Sequence, residues 1–91
     1  DIGHIQIKEN LSLVDHAEWL ARIRPQLFGC HLHDVAWPAD DHRAPFTGGI
    51  DYQNLVPLMP ENCLFVWEMS PRRSPAEIIN SRQQWLDTFG Q

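Results

Sequence analysis

The sequence predicts an α/β fold built from parallel βα units, and three observations predict it. Strand-like and helical stretches alternate along the chain. The segment CLFVWEM (63–69) is a nearly continuous apolar run, the pattern of a parallel strand covered on both faces. The helical stretches carry apolar residues at helical spacing behind recognisable cap residues.

Taken in order, the opening DIGHIQIKEN reads as the tail of a strand followed by a loop. It begins on polar residues without an initiator Met, which suggests a piece of something longer. Asp15 with Glu18 forms a capping box, and Trp19, Leu20, Ile23 and Leu27 recur at helical spacing; together they predict a helix over 15–26, with Pro25 near its end. LFGCHLHD (27–34) reads as a short strand whose period of two puts His31 and His33 on one face and Cys30 and Leu32 on the other. Residues 35–50, rich in Pro, Gly, Asp and Ala, form a long loop of a length that is often functional. IDYQNLVPLM (50–59) is a short helix limited by Pro57, and CLFVWEM is the next strand, ending in Glu68. Ser74, Pro75 and Glu77 supply an N-cap, a first-turn proline and a capping partner for a last helix over 75–88, with Ile78, Ile79, Trp85, Leu86 and Phe89 as its stripe. Trp19, Trp67 and Trp85 read as packing between helices and sheet, whereas Trp37 lies in the loop, where it can cover a ligand.

Composition narrows the function. With 91 residues and 43% hydrophobic content, the chain is one domain over 1–91 at most, near the low end for burying its own core. Seven basic against twelve acidic side chains give a net charge of -5, which disfavours nonspecific nucleic-acid or membrane-surface binding and suits small neutral or metal-chelated ligands. No apolar run approaches the roughly 20 residues of a membrane span, and DIGHIQIKEN has neither the basic nor the apolar region of an export signal. Cys30 and Cys63 lie in apolar runs without paired spacing, so they read as buried free thiols in a reducing, cytoplasmic setting.

The chemistry gathers at the expected strand ends: His31 and His33 at one, Glu68 at another, Asp1 and His4 just past a third. Imidazole and carboxylate are the ligand set of Zn, Mn, Co or Mg, and convergence from separate strands builds such a site without local spacing. On the residues alone other readings stand beside this one. Asp1 and His4 also read as a solvated terminus, His31 as a hydrogen-bonded core histidine, and Asp40, Asp41 and His42 as a solvated loop face. Asp34 either caps the following loop or orients a histidine, and Arg72 with Arg73 is an exposed basic pair or a phosphate contact. Glu68 closes an apolar strand, where a lone carboxylate needs a cation or a hydrogen-bond network.

DIGH, then GCHLHD, then DDH followed by TGGID, then VWEMSP, in this order and spacing, resemble the C-terminal part of the xylose-isomerase-like TIM barrel superfamily. That superfamily includes sugar phosphate isomerases and epimerases, and endonuclease IV. The resemblance covers nearly the whole chain and implies the C-terminal portion of a (β/α)8 TIM barrel, about three βα units with parallel strands. It implies Asp1, His31 and Glu68 as metal ligands, Glu68 also as the acid or base, and His4 as a substrate contact or a ligand of a further metal; His33, on the same face as His31, would line the site. Asp40 and His42 match the pair that holds an additional zinc in the endonuclease, although Asp41 stands between them where that enzyme has arginine. The family's remaining metal-binding glutamate comes from an earlier strand, which this chain does not contain.

The expected activity is a divalent-metal-dependent isomerisation or epimerisation of a sugar or sugar phosphate, through an enediolate. The alternatives are a metal-dependent endonuclease acting on abasic DNA and a non-catalytic fragment. Because a TIM barrel takes about 250 residues, the chain is expected to need the missing N-terminal part of the barrel or other chains.

Overall fold

In the computed structural model, which describes residues 1–90, the chain opens with a helix, α1 (Ile2–Asn10), and not with the tail of a strand. The Asp1 carboxylate accepts the His4 backbone N–H at 2.8 Å, capping the helix. Ile2, Gly3 and Gln6 are its buried residues, a helical spacing that the polar Gln6 conceals from a hydropathy reading. Helix α2 (His16–Ile23) starts as expected, with the Asp15 carboxylate accepting the Glu18 N–H at 2.8 Å, and passes into a 3-10 turn, Arg24–Gln26, that contains Pro25. Leu20 is its buried apolar anchor, while Trp19 is exposed.

Strand β1 (Gly29–Leu32) alternates as the period of two requires, with Cys30 and Leu32 buried and His31 exposed, but it ends there, and His33, expected on the face of His31, is fully buried. What reads as a loop from residue 35 is in part an antiparallel hairpin of β2 (Asp34–Ala36) and β3 (Asp40–Arg43), whose turn includes a cis Trp37–Pro38 bond. Asp34, fully buried, anchors this region: its Oδ1 accepts the N–H groups of Val35 and Ile50 at 2.8 and 3.0 Å and so ties both ends of the segment together. Gly48 lies against that carboxylate and the Val35 carbonyl, where a Cβ would not fit. Helix α3 (Tyr52–Leu55), capped by Asp51, tightens into a 3-10 turn, Val56–Leu58, at Pro57.

Strand β4 (Leu64–Trp67) pairs parallel with β1, in a register that runs from Gly29 opposite Leu64 to Leu32 opposite Trp67. Only one of its faces is covered, since Leu64 and Val66 are exposed. Helix α4 (Pro75–Phe89) is capped by Ser74, whose Oγ accepts the Glu77 N–H, and ends at Gly90 in the left-handed region, φ 74°.

The architecture therefore departs from the α/β expectation. Its strands form two separate two-stranded sheets, one parallel (β1 with β4) and one antiparallel (β2 with β3), and not about three parallel βα units of the C-terminal portion of a (β/α)8 TIM barrel. The physical reasons are local. The capped α1 occupies the place expected of a strand end, and the segment after β1 folds back on itself through Asp34 instead of crossing to a third parallel strand. The core lies between the β1/β4 pair and the helices. Trp85 of α4 is 3% exposed and stands at its centre, with the rings of Phe46, Tyr52, Phe65, Trp67 and Phe89 at centroid distances of 4.6–6.0 Å. Cys30 and Cys63 are buried free thiols with sulfurs 3.6 Å apart. No described helix is long and apolar enough to cross a membrane.

Candidate metal centre

Three side chains far apart in the sequence converge beside the parallel strand pair. His31 comes from β1, Glu68 directly follows β4, and Asp1 precedes α1. The Glu68 N–H donates to the Leu32 carbonyl at 2.9 Å, which extends the strand pairing by one bond and sets the glutamate beside His31. His31 Nδ1 stands 2.9 Å from Glu68 Oε1, and one ligand atom from each of Asp1, His31 and Glu68 lies within 4.8 Å of the others. An ion with bonds of about 2.1 Å places its ligand atoms about 3–3.5 Å apart, so the group closes around one with side-chain shifts on the order of an ångström. One imidazole and two carboxylates form a mixed N and O donor set that suits Zn, Mn, Co or Mg. His31 and Glu68 have side chains 56% and 37% exposed, so the group opens to solvent on one side.

A second group adjoins the first through Asp1. His4, His33 and His42 place one ring nitrogen each within 4.8 Å of one another. His33 is fully buried, and both of its nitrogens are engaged. Its Nδ1 accepts the His42 backbone N–H at 3.0 Å, so Nε2 carries the proton and donates to Asp1 Oδ1 at 2.8 Å. Burial pushes this imidazole down to about 4, helped by the nearby His42 and His4, which keeps it neutral. His33 therefore holds the Asp1 carboxylate in a fixed orientation. Gly3 packs so closely on the His33 ring that a Cβ would overlap it.

The His42 backbone is left-handed, φ 54°, an uncommon conformation outside glycine, and its ring stacks on His33 with centroids 4.2 Å apart. His42 Nδ1 faces Asp41 Oδ1 at 3.1 Å, and the hydrogen bond from His42 holds the Asp41 carboxyl below its ordinary range. His4, with its side chain 53% exposed, sits between the two carboxylates: Nδ1 is 3.2 Å from Asp1 Oδ2 and Nε2 is 3.7 Å from Asp41 Oδ2. Asp40 turns away and pairs with Arg43 Nη1 at 2.8 Å.

The structure thus brings together Asp1, His31 and Glu68, and beside them His4, His33 and His42, but does not join Asp40 to His42. Asp41 was not singled out by the sequence as His42's partner; the only signal was its adjacency, and the turn of the His42 backbone selects it. Arg43, as the partner of Asp40, carries no sequence signal beyond its charge. No protein-family model, curated protein or solved structure matches the chain.

Proposed function

We propose that the protein is a divalent-metal-dependent isomerase or epimerase of a sugar or sugar phosphate, with Asp1, His31 and Glu68 as the ligands of the ion. One observation carries this reading: residues 1, 31 and 68 place ligand atoms within 4.8 Å of one another. The order of the DIGH, GCHLHD, DDH and VWEMSP motifs, and their resemblance to xylose-isomerase-like enzymes, supply the reaction class. When bound, such an ion chelates neighbouring carbonyl and hydroxyl oxygens of the substrate and makes the C–H between them more acidic.

The protein's own groups do the rest. Glu68 is held at Oε1 by His31 and remains 37% exposed, so it is both oriented and reachable. In this reading it takes the proton from the substrate carbon and returns it. In this reading His4, exposed beside Asp1, exchanges its looser contact with Asp41 for a substrate hydroxyl. His33, buried on Asp1, positions that carboxylate and does not touch the sugar. The endonuclease reading stands second, favoured by His4 and His42, whose ring nitrogens lie within 4.8 Å of each other, although His33 beside them is committed to Asp1 and the His42 N–H. It is weakened by Asp40, which is committed to Arg43, and by the net charge of -5, which repels a DNA backbone.

The test is calorimetric titration with Mn²⁺ and Zn²⁺, joined to NMR detection of solvent deuterium entering ketose and aldose substrates. About one ion per chain and metal-dependent exchange are expected, with exchange lost in Glu68→Gln while its circular dichroism is unchanged. Exchange at the wild-type rate in Glu68→Gln removes the glutamate's role, and failure of the wild type to bind either ion removes the reading altogether.

A further inference from the structure

We infer that the cleft between β3 and the turn after β4 is an oxyanion subsite that takes the phosphoryl group of a sugar phosphate, with Arg73, Arg72 and Ser70 as its binding groups. This deepens the function proposed above by choosing the phosphorylated over the free sugar, and it rests on that reading for the sugar alone.

The cleft has a volume of about 360 Å³, at the small end of the roughly 300–1,000 Å³ range of small-molecule sites. His42 lines it as well as belonging to the histidine group, and the Ser70 N–H donates to the His42 carbonyl at 3.0 Å. The turn that carries the arginines begins two residues after Glu68, so the chain itself joins this cleft to the proposed metal ligands. The turn is closed by the Arg73 N–H on the Ser70 carbonyl at 3.0 Å and by the Arg72 N–H on Ser70 Oγ at 3.3 Å. With its oxygen accepting from Arg72, the Ser70 hydroxyl proton is available to a ligand.

Arg73 carries the argument. Its side chain is 19% exposed, and its Nε is buried without a hydrogen-bond partner among the described residues. The nearest carboxylate, Asp40, is 3.9 Å from Nη2, beyond hydrogen-bond range, and is already bound by Arg43 at 2.8 Å. A largely desolvated guanidinium with an unused buried donor is a poor ending for a structural side chain. A phosphoryl group in the cleft would pair the charge of this guanidinium. The lining brings Arg72 and Arg73 together with Asp40 and Asp41; Asp40 is bound by Arg43, and Asp41 is occupied by His42 and His4.

The experiment titrates the protein with inorganic phosphate, a pentose 5-phosphate, the free pentose and an abasic-site DNA duplex, each with and without Mn²⁺. Phosphate and pentose phosphate are expected to bind with or without the ion, the free pentose only with it. Arg73→Gln is expected to weaken phosphate binding about tenfold or more, as loss of a charge-assisted pair does. Arg72→Gln, an exposed change that leaves the fold intact, is expected to weaken it severalfold, while Arg22→Gln on α2 leaves it unchanged. Glu68→Gln is expected to lose Mn²⁺ and keep phosphate, which separates this subsite from the metal reading. If wild type binds Mn²⁺ but no phosphate, or if Arg72→Gln and Arg73→Gln both bind phosphate as wild type does, the subsite is refuted. Binding of the duplex through Arg73, without binding of pentose phosphate, also overturns the assignment.

Discussion

Acid is expected to destabilise this protein through His16, at the start of α2. His16 is 1% exposed; Gln6 Oε1 can only accept, so the Nδ1 that faces it at 3.2 Å carries the proton, and Nε2 is buried without a partner among the described residues. Burial pushes this imidazole from its ordinary 6.5 down to about 4, against the opposing pull of Glu9. Its folded pKa thus lies below its unfolded one, so the unfolded chain binds the proton more readily. Stability is full above about 6.5 and falls as the pH drops toward about 4. The interval of about 2.5 units, at about 1.4 kcal/mol each, is a loss of ~3 kcal/mol, a large share of the ~5–15 kcal/mol that holds a typical domain together. The assay is urea unfolding followed by tryptophan fluorescence at several pH values between about 7.5 and about 4. His16→Gln keeps a hydrogen-bonding amide but cannot take the proton, so its stability should be flatter than wild type by about 3 kcal/mol over that range. His33, also pushed down to about 4, acts in the same direction in both proteins and cancels in the comparison. Parallel pH profiles for wild type and His16→Gln would refute the reasoning.

Three further outcomes are expected. Trp85→Ala removes the ring at the centre of the aromatic core and should cost ~3–5 kcal/mol in urea unfolding; a cost under about 1 kcal/mol would show that the cluster does not hold the fold. Gly3→Ala drives a methyl into the His33 ring and should cost ~1–3 kcal/mol, with weaker Mn²⁺ binding because His33 positions Asp1; unchanged metal affinity would separate His33 from the site. Burial raises the Cys30 thiol to about 12, so at mildly alkaline pH the folded protein should resist thiol alkylation that the urea-unfolded chain undergoes rapidly, and equal rates would contradict the buried assignment.

What the sequence made legible is what local chemistry decides. Asp15 before Glu18 and Ser74 before Pro75 and Glu77 mark helix starts because each cap is made within three residues, and α2 and α4 begin there. Pro57 ends α3 for the same kind of reason. The meeting of His31 and Glu68 was also legible, because strand alternation turns His31 away from Cys30 and Leu32 and Glu68 follows the neighbouring strand directly, whereas Asp1 joins them from a helix cap and not from the expected strand end. Helix α1 was not, since its buried face contains Gly3 and the polar Gln6, which break the apolar period. The β2/β3 hairpin was hidden because Asp34, through hydrogen bonds across sixteen residues, anchors it in place of an alternating apolar strand. The pairing of His42 with Asp41 instead of Asp40 depends on one left-handed backbone residue, which the letters DDH do not reveal.

Asp1 holds two positions at once. Its carboxylate closes the first turn of α1 through the His4 N–H, and the same group belongs to the trio with His31 and Glu68. Any cation that draws this carboxylate toward the strands draws it away from the helix, so occupancy and the order of the first turn are thermodynamically linked. The linkage is reciprocal: whatever frays residues 2–5 changes affinity at the trio, and filling the trio changes how fast the amides of Ile2 to Ile5 exchange with solvent. Amide exchange at the start of α1 would thus report whether a cation binds the proposed site, and requires neither substrate nor turnover.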